Sequence, residues 1–138
     1  MFNRIMVPID LAKADKLERA IATAGDLAKH YRADLVLVGA TGNEATPVAR
    51  SPEVYREKLA EFATEAGKAL GVPVKSDALV LHDLTVDLNR KLAHHAEEVG
   101  ADLIVMASHV PGVTEYVFGS HGGEIAQHAK VSVMLVRG

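Results

Sequence analysis

Ile5-Met6-Val7-Pro8-Ile9-Asp10 is a short apolar run without polar alternation that ends on a carboxylate. A strand with one wet face alternates apolar with polar residues, whereas a strand covered on both faces does not. The run therefore reads as a buried strand of the parallel type. After it, Leu17, Ile21, Ala24 and Ala28 recur at helical spacing with Leu27 beside them, while Lys16, Glu18, Arg19 and Lys29 fall off the stripe. That spacing predicts an amphipathic helix of about five turns.

Further along, the same alternation of strand and helix repeats. Ala33 to Val38 reads as a second buried strand, and Gly39-Ala40-Thr41-Gly42-Asn43 opens a loop running to Arg50. Ser51-Pro52-Glu53 is a strong helix start, since Ser accepts from free backbone N–H groups, Pro suits the first turn and Glu favours the positive helix end. Tyr55, Leu59, Phe62 and Ala66 form that helix's apolar face, and Gly71 with Pro73 closes it. Val74 to Leu81 predicts a third strand, followed by a helix with Leu88, Leu92, Ala96 and Val99 inward that stops at Gly100. Asp102 to Met106 is the fourth strand, then a helix around Gly123 to Lys130 and a last strand, Val131 to Val136. Such alternation implies an α/β, doubly wound parallel sheet with right-handed crossovers and helices on both faces. Ligands of these sheets sit outside the carboxyl ends of the strands where strand order reverses, which directs attention to the loops after strands one and four.

The chain has 138 residues, enough for one domain, with 49% hydrophobic and 4% aromatic residues, so its core must come from Val, Leu, Ile and Ala. A net charge of −3 with interleaved signs carries no footprint for nucleic acid or an anionic membrane. Cysteine is absent, which excludes disulfides and thiolate chemistry. A strand beginning almost at Met1 leaves no room for a signal peptide and no apolar run reaches membrane length, so a cytoplasmic protein without membrane insertion is expected.

The chemistry is expected in Ala107-Ser108-His109-Val110-Pro111-Gly112 and, further on, Gly119-Ser120-His121-Gly122-Gly123. Glycines and small hydroxyl residues opening a helix suit an anion, because the first N–H groups are unpaired and the helix dipole favours negative charge. Gly122 and Gly123 read equally as a flexible entry to a helix. Neither GxxxxGK[ST] nor a GxGxxG after the first strand occurs, so a P-loop NTPase or an ordinary dinucleotide dehydrogenase is unsupported. Asp10 reads either as a cap for the first helix or as a ligand contact. His94-His95 point apart on a helix and no HExxH spacing exists, so no metal site is expected from the histidines. His82-Asp83 reads as a turn, Met6 and Met106 as core residues, and Tyr116 and Phe118 as either ligand shields or gap fillers.

Four stretches resemble the universal stress protein family: Ile5 to Asp10, Gly100-Ala101-Asp102-Leu103-Ile104-Val105-Met106, Gly119-Ser120, and Val133-Met134-Leu135-Val136-Arg137. The resemblance spans nearly the whole chain and implies a five-stranded sheet of order 3-2-1-4-5, like that of the adenine nucleotide alpha hydrolases. In nucleotide-binding members the loop runs GxxG, nine residues, then G[ST]. Here Ala107 and Val110 replace the first two glycines and the segment from Pro111 to Phe118 is one residue short, which is similar to a branch of the family with Pro at that place. The resemblance implies ATP or AMP as cofactor. Pro8 and Ile9 would then wall the adenine, the Val38 backbone would meet its edge, and Asp10 would face the ribose or a bound magnesium. Met106, Ala107, Ser108 and His109 would approach the ribose or phosphates from below. Gly119, Ser120, His121 and Gly122 would cap the phosphates.

The last strand, apolar and at a sheet edge in this topology, invites another chain, and the resemblance also implies a homodimer through Val131 to Val136. The loop from Gly39 to Arg50 and the Ala-Ser-His-Val-Pro segment are similar to those of members associated with solute transporters, which implies a transporter subunit as a partner. The leading expectation is thus a nucleotide-charged regulator. The alternatives are a nucleotide-free interaction protein of the same fold and a slow ATPase, for which His109 or His121 would be the candidate base.

Overall fold

The structure is a computed structural model and describes residues 1–83, 88–108 and 121–137. Its sheet has five parallel strands in the order β3-β2-β1-β4-β5. The strands are β1 (Arg4–Ile9), β2 (Asp34–Thr41), β3 (Val74–Val80), β4 (Leu103–Ser108) and β5 (Ser132–Arg137). The helices are α1 (Glu18–Tyr31), α2 (Pro52–Leu70), α3 (Leu88–Glu98) and α4 (His121–His128), and a 3₁₀ segment, Leu11–Leu17, joins β1 to α1. The doubly wound arrangement and the strand order expected from the sequence are both present.

Alternate residues of the central strands serve opposite layers. Ile5, Val7, Ile9, Leu35, Leu37, Leu103 and Val105 pack under α1 and α2 against Ile21, Ala24, Leu59 and Ala63. On the other face, Met6, Val36, Val38, Ile104 and Met106 meet Leu92 and Ala96 of α3 and Ile125 of α4. Both faces of β1 are thereby covered, which is why its sequence lacks alternation. Each large side chain so buried contributes about 1.5 to 3 kcal/mol.

Helix ends follow local chemistry. Ser51 Oγ accepts from Val54 N at 3.2 Å, Pro52 sits in the first turn, and Gly71 closes α2 in the left-handed region with φ 73°. Arg32, with φ 55°, does the same for α1 without glycine, its N–H reaching the last carbonyls. At the other end of the sheet, Asp102 Oδ1 accepts from the backbone N–H groups of Asn3 and Arg4, both at 3.1 Å, which ties β1 to the start of β4.

Several boundaries differ from the sequence-based expectation. The first helix is not continuous. Leu11–Leu17 is 3₁₀ with non-helical dihedrals at Lys13, and the α-helix starts at Glu18. Strand β2 does not stop at Val38 but runs to Thr41, because Gly39 is a packing glycine and not a turn: a Cβ there would run into Tyr55 Oη. β4 continues to Ser108, so Ala107 and Ser108 are strand residues paired with Val136 and Arg137 and not part of a loop. α4 and β5 are offset slightly from the predicted Gly123 to Lys130 and Val131 to Val136.

Candidate functional site

β1 pairs with β2 over six residues, from Arg4↔Asp34 to Ile9↔Gly39, but with β4 only at Ile5↔Leu103 and Met6↔Ile104. Beyond Met6 the two strands part, and Pro8 has no N–H with which to extend the ladder. Connections leave this point in opposite directions, β1 toward β2 and β4 toward β5. The crevice therefore opens at the carboxyl edge of the sheet between β1 and β4, where a doubly wound sheet takes its ligands.

Asp10 is the first residue past β1 at this crevice. Its Oδ1 accepts from Ala12 N at 3.0 Å and its carbonyl accepts from Lys13 N at 3.0 Å, so it caps the 3₁₀ segment. Asp10 itself is half-buried. Capping is thus one of the two roles expected of Asp10.

The remaining predicted contacts fall into five groups. Pro8 and Val38 are buried and paired across β1 and β2, Val38 toward α3 and α4. Ile9 and Met106 are core side chains, Ile9 under α1 and α2 and Met106 on the opposite face. Ala107 and Ser108 are half-buried at the end of β4. His121 and Gly122 lie in the first turn of α4. Since β4 and β5 are parallel, α4 runs back from the carboxyl edge, and its N-terminus lies at the same edge of the sheet as Asp10. His109, Gly119 and Ser120, like Tyr116 and Phe118, lie outside the described residues.

Two side chains at this edge were not singled out from the sequence. Tyr55, read there only as part of the apolar face of α2, is 4% exposed, and its hydroxyl lies over Gly39. Burial, and then the Asp10 carboxylate, push its phenol up to about 12 from 10.0. It is therefore a neutral phenol within electrostatic reach of the Asp10 carboxylate. Gly39 inside a strand followed by a tyrosine in the first turn of the next helix was the available signal. Asn89 is also buried, and its Nδ2 donates to Glu124 Oε2 at 2.7 Å, tying the start of α4 to α3. A polar residue at an inward helix position gave no hint of that partner.

Among the described residues this edge carries the Asp10 carboxylate, the Tyr55 phenol and the first turn of α4, whose Glu124 carboxylate is engaged by Asn89. Such a set binds and orients a polar ligand by acceptor and donor geometry. Among the described residues no group of three or more His, Asp or Glu side chains is placed to hold a metal ion, and His82 and Asp83 follow β3 as exposed residues. Nor is any helix among them long and apolar enough to cross a membrane.

Comparison with known proteins agrees with this architecture. The model of the universal stress protein family matches residues 1–137. Universal stress protein YxiE of Bacillus subtilis is 28% identical over 151 residues, covering 99% of this chain and 100% of its own length. A universal stress protein in complex with cAMP superimposes with a TM-score of 0.68 at 21% identity, over 98% of this chain and 97% of that one. One from Archaeoglobus fulgidus in complex with dAMP gives 0.66 at 18% identity, over 96% of each chain.

Proposed function

Because the chain belongs to the universal stress protein family, we propose that it is a cytoplasmic regulator charged with an adenine nucleotide, ATP or AMP, whose occupancy is passed to a partner. The observation that carries this reading is the parting of β1 from β4 beyond Met6 with the Asp10 carboxylate at its mouth. Solved structures of similar fold are complexes with cAMP and with dAMP, which supports the ligand class. In this reading the adenine lies against the backbone edges of Pro8, Ile9 and Val38. Asp10 accepts from the ribose hydroxyls or holds magnesium. Met106, Ala107, Ser108 and His109 floor the phosphates, and amides from Gly119 and Ser120 through His121 and Gly122 cap them. A homodimer through β5 and a transporter subunit as reader complete the proposal.

The experiment is thermal denaturation with and without ATP, ADP or AMP, for wild type, Asp10→Asn and Asp10→Ala. A hundred- to thousandfold excess of ligand over its dissociation constant should stabilise the wild type by about 3 to 4 kcal/mol. Asn retains an acceptor for Ala12 N but not the charge, so Asp10→Asn should keep apo stability and lose most of the ligand-induced shift. Asp10→Ala should lose both, the cap being worth about 1 kcal/mol. Absence of any shift with the three nucleotides refutes the reading.

A second reading is favoured by one observation: Ala107 stands in strand β4, paired with Val136, where the family's pattern has a glycine. Under it the protein binds partners without nucleotide. Mass spectrometry of the material released on denaturing the purified protein separates the two, since a co-purified adenine nucleotide excludes the second.

A further inference from the structure

α1 and α2 both return over the same face of the sheet and so run side by side. They touch at Gly25, where a Cβ would stand 2.8 Å from Leu70 Cδ2. On the N-terminal side of that contact a groove of about 530 Å³ opens between the 3₁₀ segment with the start of α1 and the second half of α2. Buried Ile21 and half-buried Phe62, Ala66 and Leu70 form its floor. Its charged lining residues are Asp15, Glu18 and Glu65, all exposed and all acidic, on both walls.

From this groove we infer a docking site for a basic amphipathic helix of a partner protein. The apolar positions Phe62, Ala66 and Leu70 are four residues apart and make a stripe about 12 Å long, two turns of helix. That length matches the anchors of a helix laid in a groove, at i, i+3, i+4 and i+7. Carboxylates on both walls select a helix whose apolar face is bordered on each side by Lys or Arg, and they repel an acidic one. Lys68 meets Glu65 Oε1 at 3.4 Å, but both side chains are more than 70% exposed, at 72% and 73%. Such a pair is worth little and yields to a better-placed incoming cation. None of the groove's lining residues is among those assigned to the crevice, so the inference does not require nucleotide occupancy there.

The test is fluorescence anisotropy of a labelled, helix-stapled peptide with leucines at i, i+3, i+4 and i+7 and lysines on both flanks, against the same peptide with glutamates for lysines. Saturable binding of the basic peptide only is expected. Replacing Asp15 and Glu65 together by Lys leaves Glu18 to complement the positive end of α1, and should weaken the basic peptide roughly tenfold while admitting the acidic one. Ala22→Trp, at an exposed lining position, should abolish binding of either peptide without changing the circular dichroism spectrum. The inference is overturned by equal affinity for the two peptides, by binding that survives Ala22→Trp, or by no saturable binding up to about 1 mM. Self-association of the wild type that Ala22→Trp abolishes would also overturn it, since a second copy would then be the occupant.

Discussion

Tyr55 and Gly39 fit one another at the strand ends: the phenol lies where a side chain on β2 would be, within electrostatic reach of the Asp10 charge. Gly39→Ala should therefore displace the ring and destabilise the protein by about 1 to 3 kcal/mol, as overpacking does. In a Tyr55→Phe background the penalty should shrink, and a double-mutant cycle by urea denaturation measures the coupling. Tyr55 also sets an alkaline limit. In the unfolded chain it ionises at its ordinary 10.0, in the folded one at about 12. The neutral phenol's contribution is thus complete below pH 10 and is lost as pH rises from 10 through 12, roughly 2 to 3 kcal/mol in all. Tyr55→Phe should flatten the fall of stability across that window relative to wild type. Parallel curves for the two proteins would mean that the phenol is not held in a dry site.

At the scale of elements, β5 differs from the other four strands. It is an edge, its outer backbone groups face no strand, and Met134 and Leu135 are 38% and 36% exposed. An apolar edge of this kind is a template for pairing with a second chain. Met134→Lys should leave the fold intact and drive the protein to monomer, as light scattering coupled to size exclusion would show. A wild type that is already monomeric at micromolar concentration would remove β5 as an interface. β3, the opposite edge, is guarded differently: His95 Nε2 lies 2.8 Å from Asp77 Oδ2, so α3 is fastened to that strand through a polar contact.

Across the whole molecule, one feature of the topology organises the rest. Because the chain winds one way from β1 through β2 to β3 and the other way from β4 to β5, the crossovers diverge at β1 and β4 and leave the carboxyl edge open there. Asp10, the end of β4 and the N-terminus of α4 lie at that same edge although more than a hundred residues of chain separate the first from the last.

Periodicity, helix caps and terminators were legible in the residues themselves. The unbroken apolar run of β1, the Ser51-Pro52 start and the Gly71 stop are local, and local sterics and hydrogen bonding decide them. So were the candidate character of Asp10 and the two-sided burial of the central strands, because both follow from order along the chain. What lay beyond the sequence is whatever depends on a neighbour distant along it. Gly39 is a turn residue by composition and a strand residue only because Tyr55 fills the space above it; Ala107 and Ser108 extend β4 because Val136 and Arg137 pair with them. The hydrogen bond of Asn89 to Glu124 and the groove between α1 and α2 arise likewise from packing. A single residue's propensity is worth tenths of a kcal/mol, while a tertiary contact is worth one or more, so the contact prevails wherever the two disagree.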